Sequence, residues 1–71
     1  MEEIKLGLYR HFKGNDYQVL GLARNSETLD YMVIYKALYG DFGTWVRSVE
    51  MFLEKVIFEG EEIPRFKFIH E

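Results

Sequence analysis

Short apolar runs alternate along the chain with turn-forming residues. The first run, at residues 8–12, ends at Gly14-Asn15-Asp16, a sequence that strongly favours a turn. A second apolar run follows at residues 17–23. Because two such runs flank a tight turn, they predict an antiparallel β-hairpin. The polar residues 24–28 then predict a loop.

The longest apolar stretch covers residues 29–39 and contains only two charged residues, Asp30 and Lys36. Its content of Tyr, Val and Ile favours a strand over a helix. Both faces of such a strand are apolar over much of its length. We therefore expect a strongly bent central strand, with Tyr35 in the core and Tyr39 at the rim.

The chain then turns at residues 40–43 and enters a short predicted strand at 44–47. Trp45 lies in this strand, and we expect its side chain to be at least partly buried. Ser48 is a suitable N-cap for a helix of one or two turns, of α or 3₁₀ type. The apolar face of this helix comprises Val49, Phe52, Leu53 and Val56.

The last third of the chain predicts a second hairpin, because residues 56–58 and 63–69 flank the turn 59–62. Pro64 has no backbone N–H donor, so we expect it on an edge strand or at a strand start. The whole pattern gives about five short strands and one short helix. It predicts a mainly β fold, a small SH3-like β-barrel that forms a single domain over residues 1–71.

Composition narrows the class of protein. The 71 residues are 48% hydrophobic and 17% aromatic, which excludes a disordered chain. The absence of cysteine excludes disulfide scaffolds and cysteine-based zinc or iron–sulfur sites. No apolar run approaches the roughly 20 residues of a membrane span, and the acidic start Met1-Glu2-Glu3 is not typical of a signal peptide. We therefore expect a cytoplasmic protein that makes no contact with a membrane.

The motif Tyr9-Arg10-His11-Phe12-Lys13-Gly14-Asn15 opens a pattern that continues along nearly the whole chain. Its further members are, in order, Tyr17, Val19-Leu20-Gly21, Ala23, Ser26-Glu27-Thr28, Val33, Tyr35, Ala37-Leu38-Tyr39-Gly40, Trp45-Val46-Arg47, Met51-Phe52 and Pro64-Arg65-Phe66. This combination resembles a small bacterial family of proteins of unknown function. The resemblance implies a small, mainly β, SH3-like domain of the bacterial cytoplasm and brings no established activity.

Two positions depart from the family pattern. Asn25 stands where the pattern leads us to expect a His, and Ser48 stands where we expect a Pro. The first departure argues against any role that needs an imidazole in that loop.

The predicted ligand-binding rim contains six residues: Tyr9, His11, Lys13, Arg24, Tyr39 and Arg47. Alternation places Tyr9, His11 and Lys13 on one face of the first strand, where they could hold an anionic or planar ligand. An ordinary solvated strand face is the alternative interpretation. Arg47 shares a strand face with Trp45, so its guanidinium could stack on the indole.

The favoured function is a non-catalytic module that binds a peptide or protein through this aromatic and basic rim. A single-stranded nucleic acid is a less favoured ligand, because the net charge is −3. Another alternative is a small-ligand-binding or hydrolytic enzyme that uses His11 with a loop carboxylate, Glu27 or Asp41. Arg47 could instead form an ion pair with Glu27 or Glu50.

A third hypothesis is a structural part of an assembly, in which an exposed strand edge pairs with a second copy or with another partner. We expect a monomer or a weak homodimer. The sequence predicts no cofactor and no catalytic residues. It also predicts no metal site, because His11 with loop carboxylates is too little for a metal without further ligands.

Overall fold

The computed structural model describes residues 4–71, and the acidic start at residues 1–3 lies outside them. Seven strands and one short helix follow one another in the order β1 (Gly7–His11), β2 (Asp16–Arg24), β3 (Tyr31–Ala37), β4 (Thr44–Ser48), α1 (Val49–Phe52), β5 (Lys55–Phe58), β6 (Glu61–Pro64) and β7 (Phe66–His70). The prediction of a mainly β fold with one short helix is confirmed.

Five of the strands form one antiparallel sheet in the order β4-β3-β2-β1-β7, and β5 pairs with β6 in a separate two-stranded sheet. Both predicted hairpins, β1–β2 and β5–β6, are present. The large sheet is open, with β4 and β7 at its two edges. The mainly β fold class agrees with the prediction, whereas closure of the sheet into an SH3-like barrel stays unconfirmed.

The predicted strand at residues 63–69 is divided in two at Arg65. Before this residue β6 pairs with β5, and after it β7 pairs with β1. The backbone of Arg65 joins both regions, because its N–H donates to the Glu54 carbonyl at 3.0 Å and its carbonyl accepts from the Phe12 N–H at 2.9 Å. Pro64 is the last residue of β6, where its missing donor interrupts no ladder of the large sheet. The strand count therefore exceeds the predicted one.

The central strand β3 alternates regularly between two environments. Val33, Tyr35 and Ala37 are buried on one face, which we call the inner face of the sheet. Met32 and Ile34 are half-buried on the opposite, outer face. The irregularity that we expected in this strand lies in β2 instead, where the pairing with β3 shifts register between Val19 and Gly21. Tyr35 is in the core and Tyr39 is exposed, as predicted.

Helix α1 covers part of the inner face. Its N-cap is Ser48, whose Oγ accepts a hydrogen bond from the Met51 N–H at 3.2 Å. Val49 and Phe52 of this helix are buried, and the Phe52 ring stacks on Phe66 with centroids 4.3 Å apart. The helix has four residues, and within residues 4–71 no helix has the length and apolarity to span a membrane.

Trp45 is 57% exposed, so the prediction that it is at least partly buried is wrong. The pairing of Tyr35 with Trp45 and of Val33 with Arg47 does place Trp45 and Arg47 on the inner face together. However, β4 is an edge strand, so no further strand of residues 4–71 shields the indole on its open side. Alternation predicted the face correctly, but burial depends on what packs over that face.

Candidate functional site

Tyr9 is a core residue that is 7% exposed, and this placement corrects its assignment to the rim. Its hydroxyl donates to the backbone carbonyl of Lys5 at 2.8 Å, and its ring makes edge contacts with Phe52 and Phe68 at 5.2 and 5.3 Å. Burial also raises the pKa of the Tyr9 hydroxyl. The side chain shares the predicted face with His11, but α1 covers the face at this point.

Beyond the area covered by α1, polar and aromatic side chains meet on the inner face. We call them the tyrosine–arginine cluster: His11, Tyr17, Tyr35, Tyr39, Arg47 and Phe66. The hydroxyls of Tyr17 and Tyr39 are hydrogen-bonded at 2.6 Å. The Nε of Arg47 donates to the Tyr35 hydroxyl at 3.3 Å. These two hydrogen bonds connect β2 with the β3–β4 turn and β4 with β3.

Phe66 is the buried base of this cluster. Its ring centroid lies 5.0 Å from that of His11 and 5.5 Å from those of Tyr17 and Tyr35. The guanidinium carbon of Arg47 lies 5.9 Å from the same centroid. Strands β1, β2, β3 and β4 each contribute one of these four neighbours, and β7 supplies the ring that they surround. The sheet order therefore positions the cluster.

The surroundings of His11 disfavour its protonated form. Burial lowers the pKa of His11, and the positive charges of Arg65, Lys13 and Arg47 lower it further. Arg65 is itself paired with Glu54, its Nη2 lying 2.6 Å from Oε1. The Nδ1 of His11 accepts a hydrogen bond from the backbone N–H of Lys13 at 3.2 Å. The imidazole is thus held as a neutral acceptor among cationic groups.

This environment makes the stability of the fold pH-dependent. Because the pKa of His11 is lower in the folded chain than its ordinary value of about 6.5, its contribution is complete above about pH 6.5 and is lost as pH falls through the folded value. We expect the urea midpoint of the parent to fall between about pH 7 and pH 5, and that of His11→Gln to fall less. His70→Gln is the matched control and should behave as the parent. Equal pH dependence in the parent and His11→Gln would contradict this assignment.

The pKa of the Tyr17 hydroxyl is raised, whereas that of His11 is lowered. Burial and the hydrogen bond with Tyr39 raise the pKa of Tyr17 to about 12. Tyr35 contributes to this rise in the pKa, and the charge of Arg47 opposes it. The hydroxyl therefore stays protonated over the physiological pH range and remains available as a hydrogen-bond donor.

No carboxylate is paired with His11 in the part of the chain that the structure describes. The ion pairs of residues 4–71 join Arg10 to Asp16 and Arg65 to Glu54. Of the two loop carboxylates considered for His11, Asp41 accepts from the Gly43 N–H at 3.2 Å, and Glu27 lies in the loop between β2 and β3. Over the same residues, no group of three or more acidic or His side chains is placed to hold a metal ion.

The remaining predicted rim residues occupy two different places. Lys13 adjoins His11 in the β1–β2 turn, and its ammonium lies 5.8 Å from the Phe12 ring. Arg24 lies at the other end of β2, where its Nη2 donates to the Tyr31 hydroxyl at 2.7 Å and its guanidinium covers the Tyr31 ring. The structure therefore brings His11, Tyr39 and Arg47 together with Lys13 beside them, and it separates Arg24 from them.

Sequence analysis missed Tyr17 as a member of the site. The signal was available, because the hairpin register places Tyr17 opposite Tyr9 and hence on the same face as His11. Arg65 was also missed. Its Nε is buried and has no hydrogen-bond partner within residues 4–71, although its Nη2 is paired with Glu54. Its proximity to His11 arises from the pairing of β7 with β1 and has no local sequence signal.

Both departures from the family pattern have local structural roles. The Oδ1 of Asn25 accepts from the backbone N–H groups of Glu27 and Thr28 at 2.9 and 3.3 Å, which closes the β2–β3 loop. Ser48 caps α1, as described above. Neither residue belongs to the cluster.

His11 also lines an open groove of about 440 Å³ on its other side, between Phe12, Pro64 and Lys67. A second open groove, of about 510 Å³, lies between Tyr31 and α1. Neither groove contains the tyrosines of the cluster. The tyrosines of the cluster therefore lie outside both grooves, with Tyr35 buried and Tyr39 exposed.

The fold has a known counterpart. A crystal structure of a DUF1653 protein from Bordetella bronchiseptica is similar to this chain, with a TM-score of 0.87 and 36% sequence identity over 94% of this chain and 88% of that one. No curated protein matches the chain. The model of a family of proteins of unknown function, DUF1653, matches residues 7–68. The resemblance inferred from the motifs is thereby confirmed, and the chain belongs to the DUF1653 family.

Proposed function

We propose that this domain is a non-catalytic binding module that holds an acidic segment of a peptide or protein partner on the tyrosine–arginine cluster. One observation carries the proposal. Within residues 4–71 the guanidinium of Arg47 has a hydroxyl, that of Tyr35, as its hydrogen-bond partner and is in no ion pair. A half-buried Arg without a carboxylate partner is a site at which a ligand can supply one.

The cluster has the donors that a carboxylate requires. With Nε bound to Tyr35, the two terminal nitrogens of Arg47 can bind both oxygens of one carboxylate. In the pair formed by Tyr17 and Tyr39, one hydroxyl donates to the other, and the accepting hydroxyl keeps its own hydrogen for a ligand. The positive charge of Lys13 lies close enough to lower the pKa of His11, so it also attracts an anion, whereas the charge of Arg65 is paired with Glu54.

Exposed rings beside the cluster favour a partner that carries apolar side chains as well as acidic ones. Tyr39, Phe42 and Trp45 are 43%, 52% and 57% exposed. The β3–β4 turn holds Phe42 in place, because the Phe42 N–H donates to the Tyr39 carbonyl at 3.1 Å. The φ of Phe42 in this turn is 56°, a value that bulky residues rarely adopt. Aromatic surface flanked by Arg is the composition that protein-binding sites favour.

Binding of a carboxylate at the cluster should be coupled to protonation of His11. A bound carboxylate stabilises the protonated form of His11 and raises the pKa that the free protein holds below its ordinary value. By linkage, affinity then increases as pH falls through the range in which His11 becomes protonated in the complex. A ligand that contacts only neutral groups would not show this dependence.

The decisive experiment compares Arg47→Gln with Arg24→Gln. Each Arg donates to a tyrosine hydroxyl, but only Arg47 belongs to the cluster. Proteins captured from bacterial lysate by the parent are identified, and their binding to each variant is measured with circular dichroism as a check on folding. Loss of a charge-assisted hydrogen bond costs about 1.5–3 kcal/mol, so Arg47→Gln should weaken binding by at least about tenfold. Arg24→Gln should bind as the parent does.

Competition identifies the class of ligand. A short acidic peptide with an aromatic residue should displace the captured partner, whereas a single-stranded oligonucleotide should not. Displacement by the oligonucleotide would favour the nucleic-acid alternative, and equal binding by the parent and Arg47→Gln would remove the cluster from consideration. The alternative of an enzyme based on His11 has less support, because no ion pair of the described residues includes that imidazole. A cytoplasmic location stays a prediction.

A further inference from the structure

The edge strand β4 has an unpaired side within the described part of the chain. It pairs with β3 through residues 44–48 and with no other strand of residues 4–71. The N–H of Ala37 donates to the Gly43 carbonyl, and hydrogen-bonded pairs alternate along an antiparallel ladder. The backbone groups of Trp45 and Arg47 therefore point toward β3, while those of Val46 point out of the sheet.

We propose that β4 pairs antiparallel with β4 of a second copy of this chain, about a two-fold axis at Val46. The outward N–H and C=O of Val46 meet the same groups of the second copy, and the two form a hydrogen-bonded pair. The two five-stranded sheets then continue into each other across the axis. Because the same strand serves both copies, the interface is closed and adds no further chains.

The side chains of β4 complement themselves in this register. With Val46 on the axis, Trp45 lies opposite Arg47 of the second copy, and Arg47 lies opposite its Trp45. Directly opposed residues have Cβ atoms about 4.5–5.5 Å apart, within reach of a guanidinium–indole contact. Both contacts lie on the inner face, and Val46 meets its own counterpart on the outer face. Trp45 and Val46, at present 57% and 61% exposed, would lose solvent contact together.

The other edge strand lacks these features. β7 carries Lys67 on the outer face, and its pairing with β1 is irregular between Leu8 and Tyr9. A charged side chain and a bulge are both common means of preventing edge-to-edge association. By contrast β4 has the sequence TWVRS and pairs with β3 in unbroken register, and its one charged residue, Arg47, donates to the Tyr35 hydroxyl on the inner face. Of the two edges of the five-stranded sheet, the one with exposed apolar side chains in regular register is thus the self-complementary β4.

A five-residue strand buries little area, so the dimer should be weak and concentration-dependent. Sedimentation equilibrium of the full chain over a concentration series should show the mass rising from 8.5 kDa toward twice that value. Because Trp45 is the only tryptophan, its emission should shift to shorter wavelength over the same range. A mass of 8.5 kDa at every concentration would overturn the proposal.

A charge swap at the axis tests the register. Val46→Lys and Val46→Glu each oppose like charges across the axis, which should raise the dissociation constant by about tenfold or more. An equimolar mixture of the two variants should restore the dimer, because Lys then faces Glu. Ile57→Lys, at a position 71% exposed in β5, is the matched control and should dimerise as the parent does.

Two results of the charge-swap experiment would overturn the proposed dimer. Unchanged dimerisation of Val46→Lys would place the interface elsewhere and overturn the proposal. Two monomeric variants whose mixture stays monomeric would overturn the two-fold register. Val46 lies on the outer face, so these variants replace no residue of the tyrosine–arginine cluster. Because the dimer places Trp45 of the second copy opposite Arg47, partner binding is measured on the monomeric Val46→Lys variant as well as on the parent. Failure of the dimer and failure of partner binding are therefore distinguishable.

Discussion

Replacing Tyr35 with Ala should lower the free energy of unfolding by about 3–5 kcal/mol, the usual cost of truncating a large buried aromatic residue. Tyr35 is 6% exposed, and its ring makes edge contacts with Tyr17, Phe52 and Phe66 at 5.5, 5.6 and 5.5 Å. A domain of ordinary stability has about 5–15 kcal/mol in total, so this variant should lose much of it. Urea denaturation followed by circular dichroism measures the difference.

Two further variants distinguish the loss of the buried ring from the loss of the hydrogen bond with Arg47. Tyr31→Ala changes the same residue type on the same strand at a position 37% exposed, and it should cost less than about 1 kcal/mol. Tyr35→Phe keeps the ring and removes the hydrogen bond from Arg47, at a cost of about 1 kcal/mol. If Tyr35→Ala proves no less stable than Tyr31→Ala, the assignment of Tyr35 to the core is wrong.

Gly7→Ala should destabilise the fold by about 1–3 kcal/mol or more, because two backbone effects coincide there. Gly7 has a φ of 137°, which residues with a side chain rarely adopt. A Cβ at this position would lie 2.5 Å from the backbone oxygen of His70 and 2.8 Å from the Cα of Glu71. Neither neighbour is a flexible side chain, so the pairing of β1 with β7 has to shift.

Other glycines provide controls for each effect. Gly14 has a φ of 103° but open space around a Cβ, so Gly14→Ala tests backbone strain without a clash. A Cβ on Gly21 also meets nothing within 4 Å, and Gly21→Ala should be neutral or stabilise by up to about 1 kcal/mol. Thermal melting should rank the loss of stability as Gly7, then Gly14, then Gly21. A Gly7→Ala variant that melts with the Gly21→Ala variant would contradict the packing of β7 on β1.

Features that depend on neighbouring residues could be predicted from the sequence. The turn at Gly14 fixed the first hairpin, and the Glu59–Gly60 pair has the positive φ values, 53° and 82°, of a tight hairpin turn. Ser48 caps α1 because its side chain bonds an N–H three residues along the chain. Such contacts need no knowledge of distant parts of the fold.

The site could be predicted only in part, because alternation decides the face of a side chain and not what covers that face. Tyr9 and His11 share the inner face, yet α1 packs over Tyr9 and leaves His11 in the cluster, beside Tyr17. Arg24 is on the inner face through its pairing with Tyr31, but β3 lies between it and β4, and the length of β2 separates it from Tyr17. The position of α1 and the reach of the strands follow from the tertiary structure.

The sequence by itself determined the local elements, the mainly β class and the family. The elements and the class depend on residues close together in the chain, and the family depends on the order of its motifs. Tertiary structure alone decided the division of the predicted 63–69 strand at Arg65, the exposure of Trp45 and the meeting of Tyr17 with Tyr39. Each of these results from pairing or packing between segments far apart in the chain. Their free energy depends on the complete sheet, so no local pattern encodes them.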